Sequence, residues 1–209
     1  MSKSDRKSEV SGKKVTDTVK WKKLRKKIRK AQNPKRYEHT LGVEYTAAAL
    51  AMRYGADMEA AQLAGLLHDC AKCLSDEKML SFCEKNNIPL LESERRSPFL
   101  LHGKVGAYLA EKKYGIKNPE IISAIECHTT GKREMTLLEK IVFVADYIEP
   151  GRNRAAGLTE LRILAFEDLD AALIQILGNT LDYLKEKSYN IDPRTEETWN
   201  YYREHVRKK

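Results

Sequence analysis

The chain of 209 residues reads as an all-α protein, a bundle of about eight to ten helices. Three observations lead there. No stretch shows the period-two alternation of a half-buried strand, apolar residues recur at three- and four-residue steps, and Asn-Pro, Ser or Asp repeatedly stands just before such a stretch, as helix N-caps do. The length suits one domain with appendages. A content of 42% hydrophobic and 33% charged residues belongs to a globular protein, and no apolar run approaches the ~20 residues of a membrane span.

In chain order, residues 1–18 are polar and rich in Lys and Ser, which predicts a disordered basic tail. Residues 19–33 predict a basic amphipathic helix with Trp21, Leu24, Ile28 and Ala31 on its apolar side. Through Arg36 there are fifteen Lys or Arg and three Asp or Glu, a local +12 within a total of +8, so the rest of the chain carries −4. The basicity therefore belongs to an appendage. Its outer face reads as solvated; contact with nucleic acid is the weaker reading, because no aromatic residues interleave with the cations.

Residues 34–209 form the predicted domain. Asn33 caps a helix with Pro34 in its first turn; it carries His39 and runs to Tyr54 before Gly55. Asp57 caps the next, whose apolar residues lead to His68-Asp69. Ser75 opens a third, ending near Asn86-Asn87. Ser97-Pro98 opens a helix that bears His102 and stops at Gly115, and Asn118-Pro119 opens one that ends at Cys127-His128-Thr129-Thr130-Gly131. Leu137–Ile148 is apolar on most faces, hence central, with Asp146 near its end. Residues 158–187 are helical in pattern with a break near Glu167, and a last helix spans 195–207. The first twenty residues lack the apolar stretch of a signal peptide, so a cytoplasmic location with free cysteines is expected. Cys70-x-x-Cys73 has no second pair to complete a zinc site; it reads, with Cys83 and Cys127, as small apolar filler.

Chemistry points to the segment 66–72, Leu-Leu-His-Asp-Cys-Ala-Lys. A neutral imidazole beside a carboxylate suits a divalent cation such as Fe, Mn or Zn, but one dipeptide cannot hold it. Further ligands stand at His39, His102, His128 and Asp146, each at an end or first turn of a separate apolar helix, and helical bundles build metal sites from such converging side chains. Asp146, inside the run Ile141 to Ala145, needs a partner in any case, since a bare buried carboxylate is costly.

These residues, in this order, resemble the HD-domain metal-dependent phosphohydrolases. The strings around Arg36–Val43, Leu66–Lys72, Leu101–Gly103, Cys127–Gly131 and Ala145–Arg152 are similar to one branch, the bacterial YqeK family of symmetrical diadenosine tetraphosphate hydrolases. The resemblance implies an HD-domain helical bundle in which His39, His68, Asp69 and Asp146 hold one metal, and His102 and His128, with Asp69 bridging, hold a second. It favours two iron ions, with Mn or another divalent cation as the alternative. It implies catalytic roles for Asp69 and Lys72, phosphate contact from Lys72, a dinucleoside polyphosphate as substrate and ADP as product. Where the family places an arginine after His-Thr-Thr-Gly, this chain has Lys132 and then Arg133, a point charge in place of a bidentate fork. Arg36 and Arg152 complete the candidate substrate contacts; Arg154 reads as surface.

Two rival readings remain at this level: another HD-type nucleotide phosphohydrolase, and a basic nucleic-acid or ribosome-binding protein with a structural HD core. Against guanosine-tetraphosphate hydrolysis, Cys70-Ala71-Lys72-Cys73 offers no acidic pair after His68-Asp69. A homodimer is compatible with the sequence, and no membrane contact is expected.

Overall fold

The computed structural model describes residues 14–153 and 157–206, with side chains from Trp21 onward. Eleven α-helices appear among them: α1 Lys14–Ala31, α2 Pro34–Tyr54, α3 Met58–Leu67, α4 Asp76–Lys85, α5 Glu92–Arg96, α6 His102–Lys112, α7 Pro119–Cys127, α8 Leu137–Ile148, α9 Leu158–Glu167, α10 Leu169–Glu186 and α11 Pro193–Val206. A 3₁₀ turn, Pro98–Leu101, precedes α6. The extra helix relative to the sequence expectation is α5, five residues long and too short for an apolar period. Residues 1–13 of the expected tail, and Arg154, lie outside the described residues; 14–18 of that tail belong to α1.

Punctuation works as the residues require. The side chains of Asn33, Asp57, Ser75 and Asn118 each accept a hydrogen bond from a first-turn backbone N–H, which satisfies donors the helix cannot pair itself. Gly55 ends α2 at φ 72°, a left-handed conformation that costs a glycine little.

Helix α8 is the axis of the core. Leu138, Ile141, Val142, Phe143, Val144, Ala145 and Ile148 are all buried, and the helix packs on α2, α3, α7, α9 and α10. A smaller cluster of Ala71, Met79, Cys83, Leu101 and Val105 joins α4 and the 3₁₀ turn to α6. The basic helix is not a free appendage. Ile28 is fully buried, Arg25 pairs with the buried Glu44 of α2, and Trp21 and Leu24 pack against the main core. Burial raises the Glu44 carboxyl above the ordinary range despite Arg25, so removing Arg25 would strand a buried acid. The outer cations, Lys22, Lys23, Lys26, Lys27, Arg29 and Lys30, remain exposed as expected.

Candidate metal centre

Four histidines and two aspartates converge from five helices. His39 lies within α2, His68 follows the last residue of α3, His102 begins α6, His128 follows α7, and Asp146 is near the end of α8. Three of the rings are aimed by their own local backbone. Nδ1–H of His68 donates to the Gly65 carbonyl (2.7 Å), that of His102 to Phe99 (2.5 Å) and that of His128 to Ile125 (2.7 Å). A carbonyl accepts only, so these rings carry the proton on Nδ1 and turn a lone pair on Nε2 inward. His39 differs: its Nδ1 meets the Glu149 carboxylate at 3.1 Å.

Asp69 lies at the centre. Its Oδ2 is 3.4 Å from His68 Nε2 and 3.7 Å from His39 Nε2, while its Oδ1 is 3.4 Å from His102 Nε2 and 3.7 Å from His128 Nε2. One carboxylate thus faces two histidine pairs, one with each oxygen. Asp146 Oδ1 completes the first group, 3.0 Å from His39 Nε2.

The arrangement gathers inward-facing ring nitrogens and two carboxylates in one largely buried place. His102 Nε2 and His128 Nε2 are 3.1 Å apart, with the Thr129 hydroxyl 3.1 and 3.2 Å from them, and His68 Nε2 and His39 Nε2 are 3.3 Å apart; ring nitrogens paired this closely offer their lone pairs to one shared cation. Burial, with His128 and Lys72 adjacent, pushes His102 down to about 3. Burial would raise the Asp69 and Asp146 carboxyls. The histidines around Asp69 hold it well below the usual range, and His39, with His68 and Arg152, does the same for Asp146. Two carboxylates and four imidazoles form an oxygen and nitrogen donor set that fits a divalent cation. The flanking thiols Cys70 and Cys127 are pushed up to about 12 by burial and stay out of it. Cys73, expected as filler, is exposed.

A family model for the HD domain matches residues 36–151, a span that contains all six of these side chains. The chain belongs to the HD-domain family. It is 44% identical over 169 residues to a Bacillus subtilis protein named symmetrical bis(5'-nucleosyl)-tetraphosphatase, covering 79% of this chain and 88% of that one. A Staphylococcus aureus protein of the same name is 38% identical, with 85% and 92% covered. Among solved structures, a protein from Clostridium acetobutylicum described as a predicted HD superfamily hydrolase involved in NAD metabolism superposes with TM-score 0.85 at 42% identity, covering 90% of this chain and 98% of that one.

Around the centre of this HD domain the expected substrate contacts divide. Arg36 Nη1 donates to Asp69 Oδ2 (2.6 Å) and Arg152 Nη2 to Asp146 Oδ1 (2.8 Å). Lys72 Nζ lies 3.2 Å from His102 Nδ1, and burial pulls its pKa below that of a free lysine. These three border the cluster. Lys132 and Arg133 point to other partners: Lys132 Nζ pairs with the buried Glu139 of α8 (2.6 Å), and Arg133 extends to Glu197 of α11 (3.5 Å). A buried carboxylate within reach claims the ammonium.

Two residues carry the site without having been singled out. Glu149, buried, holds His39 and also accepts from the Gly151 N–H (2.6 Å). It follows Asp146 by three residues, the one signal that could have found it. A Cβ at position 42 would stand 2.3 Å from Glu149 Oε2, so glycine there makes room for the carboxylate. Gln32, at the end of the basic segment, donates from Nε2 to the Asp69 carbonyl (3.0 Å) and accepts from Thr40 Oγ1 (3.0 Å); nothing in a polar helix end announces that.

Proposed function

We infer that this HD domain hydrolyses diadenosine tetraphosphate symmetrically, to two ADP, at a two-metal centre. His39, His68, Asp69 and Asp146 would hold one ion, and His102, His128 and Asp69 the other. The observation that carries this reading is the division of the Asp69 carboxylate between two histidine pairs, in a chain alike over most of its length to relatives named for that activity. Iron is the ion the resemblance favours, and Mn would meet the same nitrogen and oxygen donors.

Bound there, divalent cations supply Lewis-acid neutralisation of phosphate charge and lower the pKa of water. The chain's own residues do the rest. Asp69 and Asp146 fix the negative field of the site. Arg36 and Arg152 are partly exposed and held on ligand carboxylates, from which their forks can turn to phosphate oxygens. Lys72 offers a single cation beside the attacked phosphate. Water adds to phosphorus as the bridging P–O bond breaks, and ADP departs; one water and one substrate give two ADP. ADP, which retains half of these contacts, binds the same site and inhibits.

The test is hydrolysis by metal-loaded protein in heavy-oxygen water. Expected is ADP as sole nucleotide product, with the label in one of each pair. AMP together with ATP would overturn the symmetrical cut. Failure of a chelator to stop the reaction would overturn the metal centre.

A further inference from the structure

Phe99 sits in the 3₁₀ turn that leads into His102, and the residue is 47% exposed while nearby Leu101 is fully buried. One exposed phenyl ring is ordinary on a protein surface. Its position is not. Among the described residues with large exposed apolar side chains, Phe99 is the one whose backbone carbonyl holds a candidate ligand histidine. Its ring faces the Lys72 ammonium, 5.6 Å from Nζ to the ring centroid, and the same ammonium lies against the His102 ring. Outward from the cluster the order is therefore imidazole, ammonium, aromatic face.

A nucleoside diphosphate group has a matching order: the phosphate under attack, its neighbouring phosphate, then ribose and base. With the attacked phosphate at the cluster, the neighbouring phosphate falls to Lys72, and the base reaches the next group along. We propose that Phe99 is the nucleobase platform for the half of the substrate that stays on the cluster, where it stacks on the purine. This deepens the hydrolase reading and rests on it. An aromatic face stacks on any base, whereas choosing between adenine and guanine takes hydrogen-bonding groups at the base edge; the subsite therefore takes the adenine of the substrate by its face and tolerates guanine.

The test separates base from phosphate without depending on turnover. Binding of ADP, GDP and inorganic pyrophosphate to the metal-loaded protein is measured by calorimetry for the parent, Phe99→Ala and Phe99→Trp, with metal content determined for each. Phe99→Ala should weaken ADP and GDP by about tenfold or more and pyrophosphate by less than about twofold, while Phe99→Trp keeps or tightens both nucleotides. In turnover the loss should fall on KM more than on kcat. Equal weakening of ADP and pyrophosphate, or no change in ADP, overturns the proposal. If ADP binding depends on Phe99 but diadenosine tetraphosphate is not cleaved, the activity reading fails and the base subsite stands. If cleavage proceeds while ADP binding ignores Phe99, the subsite alone fails.

Discussion

Around Asp69 the cluster divides into a half made of His39, His68 and Asp146 and a half made of His102 and His128, and the two are backed by different chemistry. The first half has a full carboxylate in Asp146, and Glu149 behind His39, which makes that imidazole a stronger donor. The second has two histidines held by neutral groups, backbone carbonyls at Nδ1 and the Thr129 hydroxyl at Nε2, shares one oxygen of Asp69, and has the Lys72 ammonium against it. Negative charge is concentrated on one side. Cation affinity should follow, with a tighter ion in the first half and a weaker, exchangeable one in the second.

The largest effect expected is from Asp69→Ala, the one change that touches both halves: metal retention and turnover should both be abolished, read by elemental analysis and rate. A variant that kept its metal would end the two-halves description. His128→Ala should remove only the weaker ion, leaving about one per chain and little hydrolysis; loss of both ions would mean that the halves are one cooperative site. Glu149→Gln should weaken retention in the first half alone, by roughly 10- to 100-fold. Gly42→Ala should reproduce that through displacement of the Glu149 carboxylate. If either variant lowers the second ion instead, the asymmetry runs the other way. The smallest effect expected is from Lys132→Ala, which removes a partner of the buried Glu139 and should cost roughly 1 kcal/mol in thermal unfolding with no change in hydrolysis. A raised KM would place Lys132 at the substrate.

What the sequence made legible was local. Caps such as Asn33 and Asp57 act within one turn, so their residues announce the helix ends, and a histidine or aspartate at the end of an apolar run stands out because burial must be justified chemically. What it concealed was approach in space. Glu149 meets His39 across 110 positions, and Gln32 meets the Asp69 carbonyl from a helix whose composition advertises only charge. The direction of Lys132 was equally hidden, because a cation's partner depends on where Glu139 is carried by α8. Depth was underread too: the apolar positions of α1 were visible, but its anchoring of Arg25 on Glu44 depends on a carboxylate buried in another helix.

The position of Asp146 in α8, behind every other candidate ligand in the chain, has a consequence for biosynthesis. A ribosome delivers His39, His68 and Asp69 first, then His102 and His128, and α8 only afterwards. The charge-poor half thus has all its ligands in the nascent chain while the charge-rich half still lacks its own carboxylate. On the affinity order expected above, order of synthesis and order of affinity would run in opposite directions, and an ion captured early would enter the half from which it is most easily lost.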